Sequence, residues 1–254
     1  MKFAFFNFWI LVLIYSGTIM AQDKIDYIKL SQELLYAAKT EEPTNRFEEE
    51  LASASKQELA TQMKTDAERK AFWLNIYNAF TQIGLQKQPE EYKKRNKFFT
   101  KRFIRIAGEE ISLDLVEHGI LRKSKEKYSL GYFNKLFKTN FEKQFRVDKL
   151  DYRVHFAMNC GAKSCPPIAF YKPEQIDRQL DLATKVYLKN EVEFNSKDIT
   201  VIVPAILSWF RRDFDGKKGI IKMLREQKLI TEDVSPRIRW KKYNWDLYLK
   251  NFEP

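Results

Sequence analysis

Residues 65–86 read TDAERKAFWLNIYNAFTQIGLQ, and this segment predicts the element around which the rest of the domain packs. Thr65 stands three residues before Glu68, a spacing at which each side chain can hydrogen-bond the other's backbone amide at a helix N-terminus. The residues after Glu68 are apolar nearly all round a helical wheel, which is typical of a helix that is buried on every side. The sequence therefore predicts a long central helix that runs from this cap toward Gln86.

Three amide side chains lie within the apolar helix, at Asn75, Asn78 and Gln82. Their three- and four-residue spacing places them along one stripe of the helix. A buried amide without a partner costs about 1–3 kcal/mol, so each of them must meet a hydrogen-bonding group. Two roles are open: the amides hold the backbone of neighbouring loops, or one of them, Asn78, orients a catalytic imidazole.

Shorter elements are predicted on both sides of the central helix. Apolar spacing indicates helices from Ile25 to Lys39 and from Arg46 to Met63, and a hairpin is expected from Arg102 to Leu113 with its turn at residues 107–109. Helices dominate, so the predicted fold class is α+β: one mostly helical domain over residues 22–254, with a small antiparallel sheet and a long buried central helix. Further helices are predicted over residues 113–122, 173–190, 205–214 and 218–227, and strands over residues 198–203 and 237–240.

The N-terminus predicts a leader that does not belong to the domain. Lys2 precedes an apolar core from Phe3 to Tyr15, and smaller residues follow as far as Ala21. This is the pattern of a cleaved secretory signal peptide. The apolar core is shorter than the roughly 20 residues that a membrane-spanning helix needs. We therefore expect residues 1–21 to be removed and the mature protein to be exported, either to a periplasm or to the medium.

The chain is basic, with 45 Lys and Arg against 34 Asp and Glu, which gives a formal charge of +11. Loss of Lys2 with the leader lowers this by one, to +10. Such an excess favours an anionic membrane or polysaccharide surface as a partner, whereas basic residues that mostly alternate with acids are typical of a solvated surface. No nucleic-acid-binding motif is present, and we expect a monomer with no nucleic-acid partner and no cofactor.

The residues best suited to chemistry are concentrated in positions 155–167, which read HFAMNCGAKSCPP. This segment contains His155, one of only two histidines, and both cysteines of the chain, Cys160 and Cys165. The apolar residues around His155 predict a buried strand over residues 154–158, and Gly161 predicts a turn. His155 and Cys160 would then flank a junction between a strand and a loop, where reactive groups are common.

The second histidine, His118, lies in the helix predicted over residues 113–122. Asp114 precedes it by four residues and Arg122 follows it by four. Asp114 is therefore expected to hydrogen-bond His118, to fix its orientation and to raise its pKa. A plain surface charge cluster explains the same spacing. In the aromatic segment 206–214, Asp213 is the polar residue to follow.

Several states of the two cysteines are open. Two cysteines separated by four residues in an exported protein favour a disulfide that closes a small loop. A zinc ion held by His118, His155, Cys160 and Cys165 is a second interpretation, although the histidine spacing matches no common finger. Two free and inert thiols are a further one.

A thiol nucleophile is the remaining interpretation. Cys165 precedes Pro166, and proline favours the first position of a helix, so the thiolate of Cys165 would be stabilised at a helix N-terminus. With His155 or His118 as the base and Asn78 or Asp114 to orient it, the chain contains the groups of a thiol protease or acyltransferase.

Five segments, taken in order, resemble a known family, the uncharacterised proteins grouped as domain of unknown function 547. The resemblance implies an exported bacterial member with one domain over most of the mature chain. In the family pattern an asparagine pair, a histidine before an arginine, and a histidine with a cysteine-bearing loop are the candidate positions. The sequence departs from that pattern at Asn244, where we would expect an aspartate. The segments are KAFWLNIYNAF (70–80), ISLDLVEHGILR (111–122), DYRVHFAMNCGAKSCPPIAFY (151–171), ILSWFRRDF (206–214) and YNWDLYL (243–249).

The resemblance maps those positions onto Asn75 and Asn78, onto His118 and Arg122, and onto His155, Cys160 and Cys165. Since the family has no agreed activity, the functional hypothesis comes from the residues themselves. It is a thiol-dependent hydrolase or acyltransferase on a peptide-like or amide substrate, in which Cys160 or Cys165 attacks, a histidine takes the proton, and Asn78 orients it or donates to the oxyanion. The alternative is a non-catalytic, disulfide-clasped envelope protein whose basic surface binds an anionic partner.

Overall fold

The long helix predicted from the Thr65 cap lies at the centre of the molecule. The computed structural model describes residues 24–253, so the predicted signal peptide lies outside the described residues. Helix α4 spans Asp66–Lys87, and 15 of its 22 residues are buried, on all sides of the helix. At its start, Thr65 Oγ1 accepts a hydrogen bond from the Glu68 amide at 3.3 Å, and the Glu68 carboxylate accepts one from the Thr65 amide at 2.8 Å. The predicted capping box is confirmed.

The other helices of the described residues surround α4. The helix predicted from Arg46 to Met63 is broken, because Ser55 and Glu58 form a second capping box that starts a new helix. In chain order the helices are α1 (Tyr27–Thr40), α2 (Asn45–Ser53), α3 (Lys56–Thr61), α4, α5 (Arg95–Thr100), α6 (Asn140–Phe145), α7 (Ile176–Glu191), α8 (Ile206–Trp209) and α9 (Gly216–Glu226), with 3₁₀ segments at Pro89–Lys94, Tyr152–Phe156 and Pro173–Gln175 and a π-helix at Leu115–Leu121.

In the described part of the chain two small sheets accompany the helices, and the predicted α+β class is confirmed. The first is the predicted hairpin, which turns at Ala107 and Gly108. The second is mixed: its central strand pairs antiparallel with a neighbour in sequence and parallel with a strand from beyond α9. The strands are β1 (Ile104–Ile106) and β2 (Glu109–Ile111) in the hairpin, and β3 (Glu193–Asn195), β4 (Thr200–Val203) and β5 (Arg237–Trp240) in the order β3-β4-β5.

The buried strand predicted over residues 154–158 is wrong, because this segment begins as a 3₁₀ turn. Asp151 Oδ1 accepts a hydrogen bond from the Arg153 amide at 3.1 Å and so caps the segment Tyr152–Phe156. Val154 packs into the large core around α4, whereas Phe156 packs into a second core beneath the mixed sheet and α9. The turn therefore places His155 where the two cores meet.

Within residues 24–253, none of the helices has the length and apolar character needed to cross a membrane.

Candidate functional site

The cysteine loop is attached to the central helix through Asn78. The Asn78 side chain donates to the carbonyl oxygen of Ala157 and accepts from the amide of Asn159, both at 2.9 Å. The buried side chain of Asn159 in turn accepts from the Gly161 amide at 2.9 Å and donates to the Pro166 carbonyl oxygen at 2.7 Å. A single chain of amide hydrogen bonds therefore runs from α4 to both sides of the cysteine loop.

The other two amides of the α4 stripe hold neighbouring segments in the same way. Asn75 exchanges two hydrogen bonds with the backbone of Tyr171, at 2.9 and 3.0 Å. Gln82 accepts from the Lys250 amide at 2.9 Å and so holds the C-terminal tail. The interpretation that these amides hold loops is confirmed. Among the described residues, neither imidazole hydrogen-bonds Asn78.

The C-terminal tail lies along the cysteine loop. The Lys163 amide donates to the Asp246 carbonyl oxygen at 2.8 Å, and Ser164 Oγ accepts from the Asn244 amide at 2.9 Å. These bonds bring Tyr243 to the two cysteines: its hydroxyl lies 3.2 Å from Cys165 Sγ and 3.5 Å from Cys160 Sγ.

Cys160 and Cys165 lie side by side as free thiols, so the disulfide favoured by their spacing is not formed in this structure. The Cys160 amide donates to Cys165 Sγ at 3.0 Å. Cys160 is half-buried, whereas Cys165 is only 5% exposed. The helix N-cap predicted for Cys165 is wrong, because no helix starts at Pro166 and the chain next turns helical at Pro173.

The two thiols differ in acidity. The hydrogen bond from Cys165 lowers the pKa of Cys160; burial opposes this shift and the Tyr243 hydroxyl adds to it. Burial raises the pKa of Cys165, as does its role as donor to Cys160. A thiolate is the nucleophilic form of cysteine, so Cys160 is the more reactive of the pair.

The two histidines belong to a separate, sealed group that we term the imidazole cluster: His118, Arg122, His155 and Asp213. Arg122 donates to His118 Nδ1 at 2.7 Å and to Asp213 Oδ2 at 2.7 Å, and His155 Nε2 lies 2.9 Å from the same carboxylate oxygen. The four side chains are between 0% and 4% exposed. Phe210 covers them: its ring stacks on His155 at 4.1 Å and lies 4.4 Å from the Arg122 guanidinium.

Both imidazoles are neutral in this environment. A guanidinium can only donate, so His118 Nδ1 must accept from Arg122 and carries no proton. Burial lowers the pKa of His118 well below its usual 6.5, and the charge of Arg122 lowers it further. Asp114 was expected to raise that pKa, which is wrong: it lies 3.7 Å from the ring and binds Lys127 at 2.5 Å. Burial also lowers the pKa of His155, although its carboxylate partner acts in the opposite direction.

The predicted site residues are thus divided between two places. Among residues 24–253, no hydrogen bond joins either cysteine to either histidine. In the same part of the chain, no group of three or more His, Cys, Asp or Glu side chains is arranged to hold a metal ion. The zinc site considered for the two cysteines and two histidines is therefore not formed.

A family model described as "Protein of unknown function, DUF547" matches residues 60–188. The chain belongs to the DUF547 family. The match contains α4, both histidines and both cysteines, and it ends before Asp213 and Tyr243. Neither the curated proteins nor the solved structures contain a significant match to this chain.

Glu117, an acid that sequence spacing did not reveal, lies between the imidazole cluster and the thiol pair of this DUF547 domain. Tyr77 donates to its carboxylate at 3.2 Å, and burial raises the pKa of Glu117 to about 6. Burial raises the pKa of Tyr77 too, and the negative charges of Glu117 and the two cysteines add to the effect, so the Tyr77 phenol lies within electrostatic reach of all three. A glutamate directly before His118 was the only sequence signal. For Tyr243, the only sequence signal was its position in the aromatic C-terminal tail.

Proposed function

We propose that this protein is a thiol-dependent enzyme in which Cys160 is the nucleophile. The observation that carries the proposal is the asymmetry of the thiol pair: Cys160 is half-buried with a lowered pKa, whereas Cys165 is buried with a raised one. A structural pair of inert thiols does not require this asymmetry. Reactive cysteines are characteristically partly exposed and stabilised as thiolates by neighbouring donors.

The reaction class that we propose is hydrolysis or acyl transfer on a peptide-like or amide substrate. Cys160 Sγ bonds to the carbonyl carbon, the carbon–nitrogen bond breaks, and the leaving amine takes a proton from a neighbouring donor. Tyr243, whose hydroxyl lies 3.5 Å from Cys160 Sγ, and the Cys165 thiol are the candidate donors. Water, for hydrolysis, or a second nucleophile, for transfer, then releases the acyl group from the sulfur. In this mechanism the proton on the leaving amine comes from Tyr243 or Cys165 rather than from a histidine.

The second step needs a base to activate water, and Glu117 is the candidate. Its pKa of about 6 is close to neutrality, which is where a general base is most effective. Asn78 contributes as a positioning residue, because its amide holds the loop that carries Cys160.

A second candidate function is thiol–disulfide exchange, and the 3.0 Å contact from the Cys160 amide to Cys165 Sγ favours it. The Cys160 thiolate would attack a substrate disulfide and release one substrate thiol. Cys165 would then attack the Cys160 sulfur, release the second thiol and leave a Cys160–Cys165 disulfide. In this chemistry both cysteines form covalent bonds, whereas acyl transfer forms a covalent bond to Cys160 alone.

Two probes applied to Cys160→Ser and Cys165→Ser distinguish these reactions. For acyl transfer, incubation with p-nitrophenyl acetate followed by intact mass measurement should show one acetyl group on wild type and on Cys165→Ser, and none on Cys160→Ser. For exchange, oxidised glutathione should leave a persistent mixed disulfide on Cys165→Ser, whereas wild type resolves it into an internal disulfide.

Iodoacetamide alkylation of the folded protein serves as the common control. We expect Cys160 to react first and Cys165 to react slowly until the protein is unfolded. If Cys160 reacts no faster than a thiol in a short peptide and neither probe labels the folded chain, the proposal fails. A non-catalytic, disulfide-clasped envelope protein then becomes the better account, above all if the protein isolated from its native compartment contains a Cys160–Cys165 disulfide.

A further inference from the structure

The loop between the π-helix and α6, residues 123–138, exposes large apolar side chains to solvent. It reads KSKEKYSLGYFNKLFK. Five of its side chains are between 53% and 92% exposed, and Leu136 and Phe137 are the extremes, at 89% and 92%. An exposed apolar group of this size on a folded protein marks an interaction surface more often than chance. The five are Tyr128, Tyr132, Phe133, Leu136 and Phe137.

The loop is a fixed projection of the fold. Its base is bonded to the π-helix, because the Lys125 amide donates to the His118 carbonyl oxygen at 2.9 Å. Its two arms are joined by bonds from the Lys135 amide to the Ser124 carbonyl oxygen at 2.8 Å and from the Glu126 amide to the Phe133 carbonyl oxygen at 3.0 Å. The exposed apolar tip is therefore held out by an ordered backbone.

A cationic depression of about 600 Å³ adjoins this apolar tip. Five cations line it, and none of them forms a salt bridge with another residue of the described chain. Asn134 belongs both to this depression and to a second one, of about 580 Å³, whose lining includes Phe133, Leu136 and Phe137. Positive charge and exposed apolar surface are therefore continuous. The five cations are Lys123, Lys125, Lys138, Arg146 and Lys149.

We propose that this surface docks the protein onto an anionic phospholipid bilayer. Phe133, Leu136 and Phe137 enter the boundary between headgroups and acyl chains, and the cationic depression binds the phosphate groups of the lipids. A soluble polyanion or a polysaccharide would match the five cations that lack a salt bridge but would leave the apolar tip in water. A bilayer surface matches both the cationic depression and the apolar tip. This inference does not depend on the proposed thiol chemistry.

Co-sedimentation of the chain from residue 22 with phospholipid vesicles tests the proposal. We expect binding to vesicles that contain phosphatidylglycerol and little binding to pure phosphatidylcholine, with weaker binding at high salt because exposed charges are screened. The paired variant Lys125→Glu/Lys149→Glu should lower the partition coefficient by about tenfold or more, since each basic residue near an anionic surface contributes about 1 kcal/mol. The variant Phe133→Ser/Leu136→Ser/Phe137→Ser should lower it to a similar degree.

Matched variants elsewhere on the surface provide the controls. Leu182→Ser, which removes a half-exposed leucine of α7, and Lys217→Glu/Lys218→Glu, which reverses two exposed lysines of α9, should bind vesicles like wild type. Since a triple substitution can disturb folding, Phe137→Trp gives a second measurement: brominated lipids should quench its fluorescence beyond the quenching of the parent protein. Absence of vesicle binding, or absence of this extra quenching, overturns the proposal. So does binding of the apolar triple variant at wild-type strength together with heparin binding, which identifies a soluble polyanion instead.

Discussion

The imidazole cluster and the thiol pair lie close together in sequence and differ in almost every physical respect. His155 and Cys160 are five residues apart, yet His155 is sealed beneath Phe210 and Cys160 is only partly buried beside Tyr243. In the cluster, burial keeps the two imidazoles neutral beside a guanidinium and a carboxylate. In the thiol pair, neighbouring donors favour an anion. The segment 155–167 therefore contains His155, which helps to hold the fold together, and Cys160, which is suited to chemistry.

The difference has an energetic basis. Removing charges from water is costly, and a buried ion pair seldom adds net stability, but breaking one leaves an uncompensated charge. The bond from Arg122 to Asp213 joins the C-terminal end of the π-helix to the segment after α8, 91 residues further along the chain. Such a bond specifies one packing of the two cores. The thiol pair, in contrast, is placed by amides from α4 and by the tail, and its own loss leaves no buried charge unpaired.

The largest expected effect tests the imidazole cluster. Asp213→Ala leaves the Arg122 guanidinium buried without its carboxylate, and we expect the free energy of unfolding to fall by about 3–5 kcal/mol. Urea denaturation followed by circular dichroism measures this change. Asp233→Ala, at an exposed turn, is the control and should change stability by no more than about 0.5 kcal/mol. A loss below about 1 kcal/mol for Asp213→Ala would contradict a buried ion pair.

Local features of the fold were predictable from sequence, and the partners of the site residues were not. The capping box at Thr65 and the hairpin turn at Ala107 depend on neighbours within a few residues, where spacing is informative. His118 has Asp114 and Arg122 at equal distance along the chain, so spacing alone could not say which would bind it. Arg122 binds His118 because of Asp213, which lies 91 residues further along the chain. The Asp213 carboxylate holds the Arg122 guanidinium against the imidazole.

The next effect separates positioning of the thiols from general stability. Asn78→Ala and Asn75→Ala each remove an amide that satisfies two backbone groups, so each should cost about 1–3 kcal/mol. Only Asn78 leads through Asn159 to the cysteine loop. We therefore expect similar losses in urea denaturation, but a changed rate of Cys160 alkylation in Asn78→Ala alone. Equal alkylation changes in both variants would show that the loop is held by the core as a whole.

A pH dependence distinguishes the two regions again. The folded pKa of His118 is below its usual 6.5, so the unfolded chain binds more protons below that pH. The contribution of His118 is therefore present above pH 6.5 and is lost as the pH falls below it, with a slope approaching 1.4 kcal/mol per pH unit. Glu117 acts in the opposite direction, because its pKa is raised from 4.5 to about 6: its contribution is present below 4.5 and is lost as the pH rises through 6.

Unfolding free energies between about pH 7.5 and about pH 5 check these signs. Glu117→Gln should steepen the loss of stability on acidification, because it removes the opposing group. His118→Asn should flatten it, whatever its effect on stability at neutral pH. If His118→Asn shows the same dependence of stability on pH as wild type, a neutral His118 imidazole in the folded protein is refuted.

The smallest effect concerns a single hydroxyl. Cys165 is the main group that lowers the pKa of Cys160, and the Tyr243 hydroxyl adds to it. Tyr243→Phe removes a hydrogen bond worth about 0.5–1.5 kcal/mol, which corresponds to a rise of roughly half a unit to one unit in the Cys160 pKa. The ring would still pack against Trp209 and Trp245, at 4.8 and 4.5 Å, so stability should hardly change. The pH at which iodoacetamide alkylation reaches half its maximal rate measures the shift.

Tyr187→Phe is the matched control for that measurement. Its hydroxyl donates to the Ser164 carbonyl oxygen at 3.0 Å, so the variant also removes a buried hydroxyl bonded to the cysteine loop, but not one that contacts sulfur. If the alkylation midpoint rises in Tyr243→Phe and stays in place in Tyr187→Phe, the tail tyrosine acts on the thiolate directly. Equal shifts would mean that both tyrosines act by holding the loop, and the acidity of Cys160 would then depend on the thiol pair alone.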